Sequence, residues 1–200
     1  MTRRIDPRVI RTRQMLRDAL VTTILEKGYD GVSIQDITDR AGLRRATFYL
    51  HYRDKDELLL TMLRETLDEL MHYMETPSRE FLTQATECSA QLRIFKHVQE
   101  QADLYRAVLG GQRAGVITSR LREYIASRIQ EKYSADDREA NLSFPVDALA
   151  NYLAAVKLNM IIWWLEKDMP YTPEQMADMC TRLVLHGTGD SVLAASAVQL

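Results

Sequence analysis

Apolar side chains recur every three to four positions along almost the whole of this 200-residue chain, and nowhere do they alternate over the length of a strand. That period admits one fold class, all-α, with about nine helices marked out by local start and stop residues. Asp6-Pro7 opens the first helix, and Leu16, Ala19, Leu20, Thr23 and Ile24 form its apolar face before Gly28 stops it. Ser33 caps a short helix over 34–40, Gly42 breaks it, and a third runs over 45–51. Asp54 and Glu57 have capping-box spacing at the head of a long helix that reaches about residue 75, ahead of Pro77. Ser78 heads a further helix to about 98. The remaining helices fall at 102–109, 113–133, 145–167 and 173–186, with a polar loop over 134–144 and a loose tail over 188–200.

Charge divides the chain unevenly. The net charge is −2, but residues 1–55 hold twelve Lys and Arg against seven Asp and Glu, so the rest is acidic. A basic head on an acidic body suggests two jobs in one chain. The expected division is a basic head over 1–53, a helical body over 54–187, and the tail over 188–200. The longest apolar run, Met160 to Leu165, falls far short of the roughly 18 residues that span a bilayer, and no secretory leader opens the chain. Cys88 and Cys180 are too few for a disulfide framework or a zinc cluster. These features predict a cytoplasmic protein with no membrane partner.

The segment from Ile34 to Tyr52 has helix-turn-helix spacing. Two short helices meet at Gly42, where a tight turn favours positive φ. Ile34, Ile37 and Ala41 on the first can pack against Leu43 and Phe48 on the second. That leaves Arg44, Arg45, Thr47, Tyr49 and His51 outward on a helix too short to be stable alone. A short, scaffolded helix with a basic, hydroxyl-bearing face suits the major groove of DNA. Arginine pairs bidentately with guanine, Thr47 offers a methyl or a hydroxyl, and Tyr49 and His51 reach backbone oxygens. Lys55, at a helix start, adds its charge to free N–H groups that favour an anion.

These residues resemble a known family. Ser33-Ile34-Gln35-Asp36-Ile37, Ala41-Gly42-Leu43 and the run from Ala46 to Leu59 are similar to the TetR/AcrR family of bacterial transcriptional regulators, over about 45 N-terminal residues. The run Trp163 to Tyr171 is similar to one C-terminal subgroup of that family. The resemblance implies contacts to an operator duplex from Ser33, Arg44, Arg45, Ala46, Thr47, Tyr49, His51 and Lys55. Three positions depart from the family pattern. Arg44 stands where a small capping residue is common, Ala46 where glycine is frequent, and Thr38 where alanine is frequent.

A small half-site reader gains specificity by pairing, so a homodimer is expected. Val146, Leu149, Leu153, Val156, Met160, Trp163 and Trp164, continued by Met176, Met179 and Leu183, are too apolar for an exposed face and form the expected seam. Phe81, Cys88, Phe95, Tyr105, Tyr124 and Tyr152 are candidates to line a small-molecule effector site, although such a stripe also reads as plain core. No cofactor, metal site or catalytic residue is expected, because metal-ligand spacing, a nucleophile elbow and a phosphate-cradling glycine loop are all missing. The resulting expectation is a repressor released by a small molecule. The alternatives are an activator or a partner-controlled regulator and, from another class, a helical carrier with a vestigial DNA head.

Overall fold

A computed structural model describes residues 6–72, 84–134 and 145–186. Among these residues the chain is wholly helical: α1 (Pro7–Lys27), α2 (Ile34–Ala41), α3 (Arg45–Tyr49), α4 (Lys55–His72), α5 (Gln84–Glu100), α6 (Ala102–Leu109), α7 (Ala114–Ser134), α8 (Val146–Glu166) and α9 (Pro173–His186). The expected helix start at Ser78, the stop at Pro77, most of the 134–144 loop and the 188–200 tail lie outside the described residues.

The helix ends follow from local chemistry. The Asp6 carboxylate accepts from the Arg8 N–H with Pro7 at the first turn, and Gly28 closes α1 at φ 70°. Ser33 and Asp36 make a full capping box on α2. The Lys27 ammonium and the Ser33 hydroxyl and N–H hold the Asp36 carboxyl well below the usual carboxylate range. Asp54 accepts from the Glu57 N–H, while the Glu57 carboxylate reaches past the cap to the Arg53 N–H. The third helix is shorter than its 45–51 expectation. Leu50 N–H bonds to Thr47 O and His51 N–H to Phe48 O, so the last turn tightens to i→i+3 bonding after Tyr49.

The chain divides into two compact units. The first comprises Met1–Thr66 with Asp103–Leu121, so α1, α2, α3, α6, most of α4 and the start of α7 belong together. Leu16, Leu20 and Ile24 of α1, Ile37 of α2, Phe48 of α3, and Leu58 and Leu59 of α4 are fully buried at its core. Polar ties join the α1–α2 loop to the α6–α7 loop. The Tyr29 hydroxyl donates to Asp56, Arg113 pairs with the same carboxylate at 2.7 Å, and Asp30 accepts from the Gln112 N–H at 2.7 Å. Gly111 gives the Asp30 carboxylate room to approach, since a Cβ there would lie 2.6 Å from it and push that carboxylate aside.

The second unit comprises Leu67–Ala102 with Arg122–Leu200. Within it α5 packs along α9 and α8 packs against α9. Trp164 meets Phe95 edge-on at 5.3 Å, and its indole N–H donates to the Tyr171 carbonyl. Ala126 and Ile129 of α7 pack with Ala150, Leu153 and Ala154 of α8. Asp68 accepts from the Tyr124 hydroxyl at 2.6 Å and pairs with Arg128 at 3.1 Å. After α8 the chain turns through two left-handed residues, Asp168 and Met169, before Pro170. By length and mean hydropathy α8 could cross a membrane, but a core helix passes the same test. Its Ala150, Ala154, Leu158 and Trp164 are buried within the unit.

Candidate nucleic-acid interface

The short third helix is held from below. Gly42 ends α2 in the left-handed region at φ 65°, and the Leu43 N–H returns to the Thr38 carbonyl at 2.9 Å. This turn sends α3 off with Phe48 at 0% exposure, its ring 5.9 Å from that of the buried Tyr52. Arg44 extends the backbone before the helix without a side-chain cap, leaving its guanidinium for other partners.

Arg44, Arg45 and Ala46 are exposed, Thr47 and His51 are half-buried, and Tyr49 is exposed. Arg45 donates to the Tyr49 hydroxyl from Nε at 3.3 Å and Nη2 at 3.1 Å. Burial, helped by the positive charge of Arg13, pulls the His51 imidazole below its usual pKa. Ser33 is exposed, but its hydroxyl is engaged at both lone pair and proton by the α2 capping box.

Lys55 departs most from the sequence expectation. Its ammonium turns back onto the α1–α2 loop, donating to the carbonyls of Val32 at 2.7 Å, Tyr29 at 2.9 Å and Asp30 at 3.4 Å. It also lies 4.7 Å from the centre of the Tyr29 ring. Desolvation, and then the nearby Arg113 charge, lower its pKa. The α4 start therefore staples the loop under the head instead of presenting a free cation. Lys55→Met keeps the stem and removes these bonds. It is expected to cost about 1.5–3 kcal/mol of stability in thermal unfolding, with the salt dependence of DNA binding unchanged. A normal melting temperature with a salt slope reduced by about one would return Lys55 to the phosphates.

Sequence reasoning passed over two neighbours. Leu50, at the end of α3, is 82% exposed beside Tyr49. Arg13 of α1 is half-buried and close enough to act on His51. The signal for Leu50 was available, since an outward apolar residue on a two-turn helix has no core to enter. That for Arg13 was not, because its neighbour lies 38 positions away.

The expected seam and effector lining are partly redrawn. Val146, Leu153, Trp164 and Met176 are buried within the second unit itself, so they fill its own core and cannot also face a partner. Leu149, Val156, Met160, Met179 and Leu183 are half-buried, and Trp163 is 37% exposed. Tyr152, expected to face inward, is 54% exposed on α8. Phe81 lies outside the described residues. Phe95 is buried against Trp164, and Cys88 and Tyr124 are half-buried in the same unit. Tyr105 is half-buried in the first unit, where burial pushes its phenol up to about 12. Among the described residues no three His, Cys, Asp or Glu side chains come together to hold a metal ion.

A short cationic helix set behind a left-handed glycine turn, in a chain whose described residues form helices and no strands, defines the class of helix-turn-helix DNA-binding regulators. Family models agree in both halves. Residues 16–62 match that of the bacterial regulatory proteins of the tetR family, and residues 89–186 match a transcriptional regulator C-terminal region of the same group. The chain belongs to the TetR family of transcriptional regulators. It is 43% identical over 77 residues to YxbF, an uncharacterized HTH-type transcriptional regulator of Bacillus subtilis, covering 38% of this chain and 20% of that protein. It is 26% identical over 159 residues to the HTH-type transcriptional repressor Rv1474c of Mycobacterium tuberculosis, covering 72% of this chain and 83% of that one. Its fold matches that of the fatty acid degradation regulator FadR from Bacillus halodurans with a TM-score of 0.64 at 16% identity, over 94% of this chain and 99% of that one. The matches to the first-ranked Bacillus subtilis relatives span between 20% and 34% of those proteins' lengths.

Proposed function

We propose that this chain is a cytoplasmic, non-enzymatic repressor that binds a pseudo-palindromic operator as a homodimer and is released by a small-molecule effector. The observation that carries this reading is the placement of Arg44, Arg45 and Tyr49 outward on α3, directly above the buried Phe48. Side chains so mounted reach base edges and phosphates, and the short helix is kept in register by the core below it. Relatives of both signs match along most of the chain, the repressor Rv1474c over 72% of it and the activator FasR of Mycolicibacterium smegmatis over 82% at 23% identity, so the sign proposed here rests on what repression requires. Blocking a promoter needs only tight operator occupancy, whereas activation needs a further surface for the polymerase.

Pairing follows from reach. One α3 spans too few base pairs to be selective in a genome, and a two-fold dimer sets two such helices about 34–36 Å apart, one turn of B-DNA. The exposed and half-buried apolar stripe of α8 supports this. The effector would act by binding one arrangement of the paired heads better than another, and only that difference in affinity could weaken operator binding.

Selection of bound duplexes from a random pool with the purified chain, followed by binding across a salt series, tests the reading. The expected result is an enriched two-fold symmetric sequence whose affinity falls steeply and linearly on logarithmic axes as salt rises. Occupancy that raises transcription of a reporter would make the protein an activator. Enrichment of no sequence at low salt would overturn the operator-binding reading.

A further inference from the structure

We propose that Tyr49 is a positioning residue for Arg45, deciding which edge of the guanidinium is offered to a base; the inference rests on the operator-binding reading above. A guanidinium carries five N–H donors, one on Nε and two on each terminal nitrogen. In this structure the Tyr49 hydroxyl oxygen accepts from Nε at 3.3 Å and from Nη2 at 3.1 Å. The side edge of Arg45 is thereby occupied. Of the three donors left, one on Nη1 and one on Nη2 lie along the end edge, and that pair has the spacing to donate to O6 and N7 of one guanine.

The tyrosine is itself fixed. Its ring stands edge-on to Phe48, with centroids 5.6 Å apart and planes at 85°, and Phe48 is fully buried. Core packing therefore passes through Phe48 to Tyr49 and on to the arginine, one helical turn before it. An exposed arginine ordinarily has rotamer freedom to lose on binding, and one already held in place loses less. The phenol accepts from Arg45 and still has its own proton, which can be donated to a phosphate oxygen of the duplex. One hydroxyl then couples the registering contact to the reading contact. An exposed pair at i, i+4 adds little to folding, so removing this one oxygen leaves the head folded.

Duplex selection with the full chain, run in parallel on the parent, Tyr49→Phe, Arg45→Ala and the double variant, tests this. The parent should enrich guanine at one position in each half-site, and Arg45→Ala should lose that preference. Tyr49→Phe should lose about tenfold of it at the same position, the scale of a good bidentate pair, with thermal unfolding unchanged. The double variant should be no less selective than Arg45→Ala alone. A Tyr49→Phe protein that weakens on every duplex by one factor, with its guanine preference intact, would overturn the inference and leave operator binding standing. A guanine preference that survives Arg45→Ala would also overturn it. A parent that enriches no sequence would remove the operator-binding reading and this inference with it.

Discussion

Trp164→Ala is expected to lower the stability of the chain by about 3–5 kcal/mol, the usual cost of emptying a large aromatic site. The indole is fully buried, meets Phe95 edge-on at 5.3 Å, and donates to the Tyr171 carbonyl at 2.9 Å. Truncation removes the packing, leaves a cavity beside Phe95 and strips that carbonyl of its donor. The carbonyl belongs to the turn that carries the chain from α8 to α9, so both helices lose their tie at that end. For a chain of this length the loss corresponds to a fall in Tm on the order of 10 °C, read by thermal unfolding at fixed protein concentration, because the Tm of any associating chain depends on concentration. Trp164→Phe keeps most of the ring and loses the hydrogen bond, and should fall between parent and alanine. An alanine variant that melts with the parent would show that this ring does not hold the second unit together.

Trp163→Glu, one position earlier, is expected to act on assembly and to leave folding nearly intact. Trp163 is 37% exposed and stacks on Tyr171, with ring centres 6.1 Å apart. Tyr152, Val156, Met160 and Trp163 follow one another at spacings that keep them on one face of α8, and each is exposed or half-buried in the single chain. A carboxylate placed among them cannot be desolvated in an apolar seam without a partner. The expected outcome is a monomer in sedimentation and a loss of operator affinity of about 10²–10⁴-fold, the advantage of a second tethered head. A variant that still sediments as a dimer would move the seam off this face.

Much of the chain was legible before any coordinates. The helix starts at Asp6, Ser33 and Asp54, the stop at Gly28 and the turn at Gly42 all fall where their side chains or their φ requirements put them. Each depends on partners within about four residues, the range over which caps and turns operate. The outward set on α3 was legible for the same reason, since Phe48 as the one large apolar residue facing inward fixes the phase of so short a helix.

Other features needed distant chain. Adjacent helical residues point about 100° apart, and both tryptophans of the Trp163–Trp164 pair are apolar enough for either side. Phe95 and the Tyr171 carbonyl decide that Trp164 goes inside. Lys55 reads in sequence as a free cation at a helix start, and only the carbonyls of Tyr29, Asp30 and Val32 turn it inward. The tie from Asp30 to the Gln112 N–H spans 82 positions and leaves no periodic trace. The sequence by itself determined the helices, those of their ends that rest on a local cap or glycine, and the outward face of α3, because those are set by neighbours along the chain. Tertiary structure alone decided which apolar side chains are spent on the chain's own core and which charges are already taken, because burial and pairing are properties of what arrives from elsewhere.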